Sequence, residues 1–123
     1  MKSARQLWTG WVISAIAVLF LLFDGILHVL KPQPVVDSFA QLGFPLSLAV
    51  GLGVLELVCT VLYVFPRTAA LGAILLTGYL GGATATQLRA GAEMFPLLFP
   101  GIIGLLVWGG LLLRDARLRA LLL

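Results

Sequence analysis

Charge is what this sequence has least of. Only 11% of its 123 residues are Asp, Glu, Lys or Arg, against about 25% in an ordinary soluble domain. Hydrophobic residues make up 61%, and mean hydropathy is +1.11. A water-soluble chain this short could not bury so much apolar surface, because small domains have a poor surface-to-volume ratio. The excess has to face lipid. Cysteine is nearly absent too: Cys59 stands alone, which excludes an intramolecular disulfide, a CxxC redox pair and a thiolate metal site. Inside an apolar run it reads as a small core filler. P-loop, GxGxxG and Ser-His-Asp patterns are all missing. So is any stretch that interleaves basic with aromatic residues on a soluble surface. This excludes nucleic acid as a partner despite a net charge of +3 and a pI near 9.6.

Four long apolar runs are what is there. A membrane-spanning helix needs about 20 mostly apolar residues, and the runs predict spans over residues 8–30, 46–65, 68–88 and 96–113. The first is about twice as long as the apolar region of a signal peptide and is followed by three more, so it reads as a membrane helix. Lys31-Pro32 and Pro66-Arg67 close the first two spans, since proline cannot continue a helix. Between them, residues 33–44 place Val35, Val36, Phe39 and Leu42 at helical spacing among Asp37, Ser38 and Gln41, which predicts a short amphipathic helix at the membrane surface. Residues 114–123 alternate arginine with leucine and predict a second surface segment. The expected fold is therefore all-α: a transmembrane four-helix bundle with a short interfacial helix between the first and second spans, forming one domain over residues 1–123.

Lys and Arg in short loops set orientation. Lys2, Arg5, Arg67, Arg114, Arg117 and Arg119 fall on one side, and Lys31 and Arg89 on the other. This predicts a multi-pass protein of a bacterial-type inner (plasma) membrane with both termini cytoplasmic. Trp8 and Trp11 read as interfacial anchors, and Arg89 with Glu93 as a solvated pair in the outer loop. Gly78 and Gly82 form a GxxxG, which together with Gly101, Gly104 and Trp108 reads as helix packing within the bundle.

Ionisable residues inside a spanning helix are costly and almost always face the bundle interior. Asp24 and His28 stand four apart on the first helix, hence on one face. The second helix carries Gly53, Glu56, Thr60 and Tyr63 as one stripe, with Glu56 roughly 13 Å from the outer end by helical rise. The third carries Thr77, Gly81, Thr84 and Gln87 as another, with Tyr79 and Thr86 on a neighbouring face. If the three stripes face one another, Asp24, His28, Glu56, Thr84 and Gln87 line a polar pocket in the outer half of the bundle. A carboxylate beside an imidazole suits proton transfer at neutral pH, and the same pocket suits the polar head of an otherwise apolar ligand, such as a quinone or an isoprenoid. Glu56, Asp24 and His28 are the expected catalytic groups. Thr60, Tyr63, Thr77, Tyr79, Thr84, Gln87 and Trp108 are the expected ligand-binding ones. The bland alternative is a network that only fixes helix register. No Glu-x-x-His recurs on two helices, so the spacing predicts no metal site, and the residues name no cofactor.

The stretches Gly53-Val54-Leu55-Glu56-Leu57, Pro66-Arg67-Thr68-Ala69-Ala70-Leu71-Gly72-Ala73-Ile74-Leu75-Leu76-Thr77 and Gly81-Gly82-Ala83-Thr84-Ala85-Thr86-Gln87-Leu88-Arg89 resemble the DoxX-like family of small four-helix membrane proteins. The family pattern commonly has histidine where this chain has Gln87, so a proton step resting on that histidine in relatives is either absent here or supplied by His28. The resemblance implies association with oxidoreductases, since relatives are named for a quinone-linked enzyme that oxidises thiosulfate and others are described as membrane partners of oxidative-stress enzymes. Three functions stay open: a site for a lipophilic small molecule with acid–base or redox-linked proton chemistry, a non-catalytic membrane subunit of an oxidoreductase complex, or a small proton-coupled transporter. The partners these readings imply are the lipid bilayer, a lipophilic small molecule, a membrane or soluble redox protein, and a second copy of the chain.

Overall fold

The computed structural model describes residues 4–91 and 93–122. Lys2, one of the charges that set the expected orientation, lies outside them. Six α-helices follow in order: α1 (Ala4–Leu30), α2 (Gln33–Leu42), α3 (Ala49–Val64), α4 (Ala69–Arg89), α5 (Met94–Arg114) and α6 (Ala116–Leu122), with a 3₁₀ turn at Leu46–Leu48 before α3. Helices α1, α4 and α5, and α3 with its leading turn, are long and apolar enough to cross a membrane. The expected all-α bundle, with a short helix between its first two spans, is the observed one.

Local chemistry sets most helix ends. Lys31 takes a left-handed conformation (φ 56°), its N–H donates to the Leu27 carbonyl, and Pro32 follows, so α1 can go no further. Gly43 (φ 78°) closes α2 in the same way, its N–H donating to Ala40. Thr68 turns the chain between α3 and α4, its Oγ1 donating to the Leu62 carbonyl at 2.7 Å. At α5 the helix begins at Met94, two residues before the expected Pro96. Proline is tolerated in a first turn, where its missing N–H would have no partner anyway.

The spans form a ring in which α1 packs on α3 and α5, and α4 packs on the same two. A core of Ala17, Leu21, Cys59, Tyr63, Ala73, Leu76, Ile103, Val107 and Leu111 fills its centre, and Cys59 sits there as a small apolar filler. Outward, Leu19, Val58, Ile74 and Leu105 present bare apolar side chains, the surface that lipid covers. α2 lies across one end, burying Val35 and Phe39 against Ala49, Leu27, Phe44 and Leu52.

The glycines that hold the ring together are not the ones the GxxxG pattern singled out. Nothing lies within 4 Å of where a Cβ would stand on Gly78, Gly82 or Gly101, so none of these supports a helix contact. Gly104 has only Leu80 at 3.8 Å. A close approach occurs at Gly72, where α4 lies on α3 and a Cβ would run into the Tyr63 backbone. Others occur at Gly53, where a Cβ would lie 2.7 Å from the Gly25 carbonyl, and at Gly10, where it would lie 2.9 Å from the Gly110 carbonyl. The last two bring α1 onto α3 at one end and onto α5 at the other.

The two ends differ. At the end carrying both termini, Tyr63 Oη donates to the Val107 carbonyl at 2.5 Å and lies 3.0 Å from Ser14 Oγ. Arg114 donates from Nε to Ser14 Oγ and from Nη2 to the Tyr63 carbonyl, both at 3.0 Å. Polar groups of α1, α3 and α5 thus tie that end shut. The other end is open, and it holds Asp24, His28 and Glu56.

Candidate functional site

Asp24 and His28 share one face of α1 near its open end. His28 Nδ1 is 2.8 Å from the Asp24 backbone carbonyl and 3.5 Å from its Oδ2. A carbonyl only accepts, so Nδ1 is the donor in the backbone contact. The close approach of Gly25 to Gly53 brings α3 against this face. It sets Glu56 one turn further along α3, where the side chain is 1% exposed. Tyr79 of α4 donates its hydroxyl to Glu56 Oε1 at 3.2 Å. Asp24, His28 and Glu56 each offer an oxygen or nitrogen within 4.8 Å of the others.

These groups form the polar apex of a cavity of about 640 Å³. Its remaining wall is largely apolar and aromatic, with Phe20, Phe99, Phe95 and Ile103 on one side and Phe39 and Leu42 of α2 across the mouth. Phe20 meets Phe99 edge-on at 4.9 Å, and Phe39 meets the His28 ring at 5.6 Å. Gly78 and Gly82 form a flat stretch of wall on α4. Arg89, expected in a solvated pair with Glu93, instead donates from Nη2 to the Leu42 carbonyl at 3.3 Å, pinning the end of α2 beside the cavity. Among the described residues, the only carboxylate within 4 Å of a basic side-chain nitrogen is Asp24, beside His28.

Of the residues expected at the site, the cavity brings together Asp24, His28, Glu56, Tyr79 and Gln87. The others lie elsewhere. Thr60 is buried below Glu56, its hydroxyl donating to the Glu56 backbone carbonyl, and Tyr63 belongs to the closed end. Their stripe on α3 is buried along its whole length, but it crosses the full bundle, so only its outer part reaches the cavity. Thr77 accepts a hydrogen bond from Trp108 Nε1 at 2.6 Å on the outer surface between α4 and α5, which removes both from the site. Thr84 is not in the cavity wall and donates to the Leu80 carbonyl. The expected α4 stripe of Thr77, Gly81, Thr84 and Gln87 is therefore not the inward face. A helical threonine can satisfy its hydroxyl on the carbonyl four residues back, as Thr77, Thr84 and Thr86 all do, and so needs no polar partner across the bundle. The wall is built instead from the neighbouring face that carries Tyr79 and Thr86.

The aromatic wall of Phe20, Phe95 and Phe99, and the contribution of α2, were not legible as site residues. Only the helical spacing of Phe39 in an amphipathic segment pointed inward. A recurring ligand motif is read one helix at a time and does not reveal a grouping that two helices make together. The convergence of α1 and α3 supplies three candidate ligands, Asp24, His28 and Glu56.

Two carboxyl groups and one imidazole within 4.8 Å of one another put several hydrogen-bonding atoms beside an apolar chamber, where they can bond a polar group placed at its apex.

The family model described as the DoxX-like family matches residues 12–110. No curated protein and no solved structure matches the chain significantly.

Proposed function

The chain belongs to the DoxX-like family, and from that premise and the cavity's geometry we propose that this membrane protein binds a lipophilic small molecule, quinone or isoprenoid-like, and does acid–base or redox-linked proton chemistry on its head group. The observation that carries this reading is the polarity gradient of one chamber. Asp24, His28, Glu56 and Tyr79 meet at its apex, while Phe20, Phe39, Phe95, Phe99 and Ile103 line the rest. A polar head would hydrogen-bond at the apex and an apolar body would lie along the aromatic wall, the division of labour usual in small-molecule sites. His28 Nε2 accepts or returns a proton there, with Asp24 orienting the ring through Nδ1. Glu56 and Tyr79 form the second donor–acceptor pair. Gln87 supplies an uncharged amide to the wall at the position where relatives commonly have histidine, which leaves His28 as the imidazole of the site.

The proposed setting is a bacterial-type plasma membrane with both termini cytoplasmic, supported by the basic end formed by Arg67, Arg114, Arg117 and Arg119. The cavity then opens toward the outer face, and any redox partner that accepts protons or electrons from the ligand docks on the membrane rather than through a large loop.

The test is native mass spectrometry with solvent extraction, an absorbance spectrum and metal analysis on protein purified mildly without added ligand. Wild type is compared with Glu56→Gln and His28→Ala. A bound lipophilic molecule in the wild type, lost from both variants, is the expected result. A wild type free of any such molecule, with stability unchanged in both variants, refutes it. Copurification of a soluble enzyme that survives Glu56→Gln would favour the non-catalytic subunit. Substrate-dependent proton movement in proteoliposomes, lost in Glu56→Gln, would favour the transporter.

A further inference from the structure

The closed end of the bundle carries a second, smaller cavity of about 380 Å³, walled by Trp11, Pro66, Leu111, Arg114, Asp115 and Arg117. We propose that it is a binding site for a phosphate group, with the headgroup of an anionic phospholipid as its occupant. The argument starts from Arg114. Its guanidinium is half-buried, lies 4.2 Å over the Trp11 ring and 4.8 Å from the Tyr63 ring, and is fixed by Ser14 Oγ and the Tyr63 carbonyl. Those bonds use two of the five N–H groups that an arginine carries, and both acceptors are uncharged. No carboxylate lies within ion-pair distance of Arg114 or Arg117 among the described residues.

Asp115 lines the same cavity, but its Oδ1 accepts from the Leu118 N–H, where it caps α6. Two guanidinium groups against one carboxylate leave the cavity with a net charge of one positive unit. Structured arginines with spare N–H groups are the usual geometry for phosphate, whose oxygens accept paired N–H bonds from the planar fork.

A lipid is favoured over a free anion by the cavity's surroundings. Trp11 is half-exposed beside it and Trp8 is exposed one turn away, and tryptophan at this position marks the headgroup level of a bilayer. Pro66 and Leu111 give the cavity an apolar flank where the first carbons of an acyl chain would run. Arg117 reaches the cavity from α6, the segment after the last span. A bound phosphate would therefore staple α6 to the ring formed by α1, α3 and α5.

The test titrates delipidated full-length protein in detergent with phosphatidylglycerol, with phosphatidylcholine of the same acyl chains, and with inorganic phosphate, read by native mass spectrometry. Arg117→Gln is the informative variant, because no hydrogen bond among the described residues rests on its side chain. Arg67→Gln is its control, removing the same charge near the same end but outside the cavity wall. The expected result is one phosphatidylglycerol per chain, bound more tightly than phosphatidylcholine, with affinity falling about tenfold in Arg117→Gln and unchanged in Arg67→Gln. Inorganic phosphate that displaces the lipid at millimolar concentration, and raises the melting temperature without any lipid, would support the site and identify free phosphate as its ligand. Equal binding of the two lipids, or an equal loss in both variants, would overturn the proposal and leave only the general attraction of a basic surface.

Discussion

Replacing Gly53 by alanine should separate two helices that the cavity needs together. The added Cβ would lie 2.7 Å from the Gly25 carbonyl oxygen, 2.9 Å from His28 Cβ and 3.0 Å from Val29 Cγ2. The first obstacle is backbone, so no rotamer change relieves it. An ordinary carbon–oxygen contact is about 3.3 Å or more, which requires α3 to move off α1 by roughly half an ångström or more. Overpacking of this kind costs about 1–3 kcal/mol. Gly82→Ala is the matched control on α4. Nothing lies within 4 Å of its Cβ position, so it should cost less than about 0.5 kcal/mol, and the better helix propensity of alanine works in its favour. The assay is equilibrium unfolding in mixed micelles or by steric trapping in bicelles, with the two variants side by side. Gly53→Ala should also weaken ligand retention, because the contact it disrupts sets the distance from Asp24 and His28 to Glu56. The reasoning is refuted if Gly53→Ala is as stable as wild type, or if Gly82→Ala is the more damaging change.

Tyr63→Phe removes a buried hydroxyl that donates to the Val107 carbonyl and meets Ser14 Oγ; the expected loss is about 1 kcal/mol, read by the same unfolding assay, with the ligand still bound. Arg89→Gln breaks the bond to the Leu42 carbonyl; at about 0.6 kcal/mol this gives roughly threefold faster hydrogen exchange over residues 33–42, with the spanning helices unchanged. Gly82→Leu places a bulky side chain on the cavity wall while leaving helix packing alone. It should abolish retention of the lipophilic molecule in native mass spectrometry without lowering the unfolding midpoint.

Helix number and type were legible because lipid leaves a chain no choice: a span needs about 20 apolar residues whose backbone bonds to itself, and that pattern is local. Asp24, His28 and Glu56 were legible for a related reason, since burial in the bundle is the only inexpensive place for an ionisable group at that depth. The threonines were not, because Thr77 and Thr84 close their hydroxyls on their own helix, and a residue with a local partner says nothing about which way it faces. The glycines were not either. Gly78 and Gly82 carry the familiar motif but meet no helix, whereas Gly53 and Gly110, with no motif, touch backbone. Which glycine is needed depends on where two helices cross, and that crossing is a property of the pair.

The division of the bundle into a tied end and an open end has a physical logic that connects these points. A cavity of about 640 Å³ removes the packing contacts that would otherwise hold α4 and α5 to α1 and α3 near its mouth, and dispersion contacts are most of what holds helices together in lipid. The ring must then be secured at the other end. There, the close approach of Gly10 to Gly110 lets α1 and α5 touch along their backbones, and Ser14, Tyr63 and Arg114 add hydrogen bonds across three helices. At the open end, the Gly25–Gly53 crossing keeps α1 on α3, so the carboxyl groups and the imidazole stay in register while the far wall of the chamber is free to admit a ligand. On this reasoning, the tied end governs stability and the open end governs occupancy. Tyr63→Phe and Gly82→Leu should then act additively when combined, since the groups they alter share no partner.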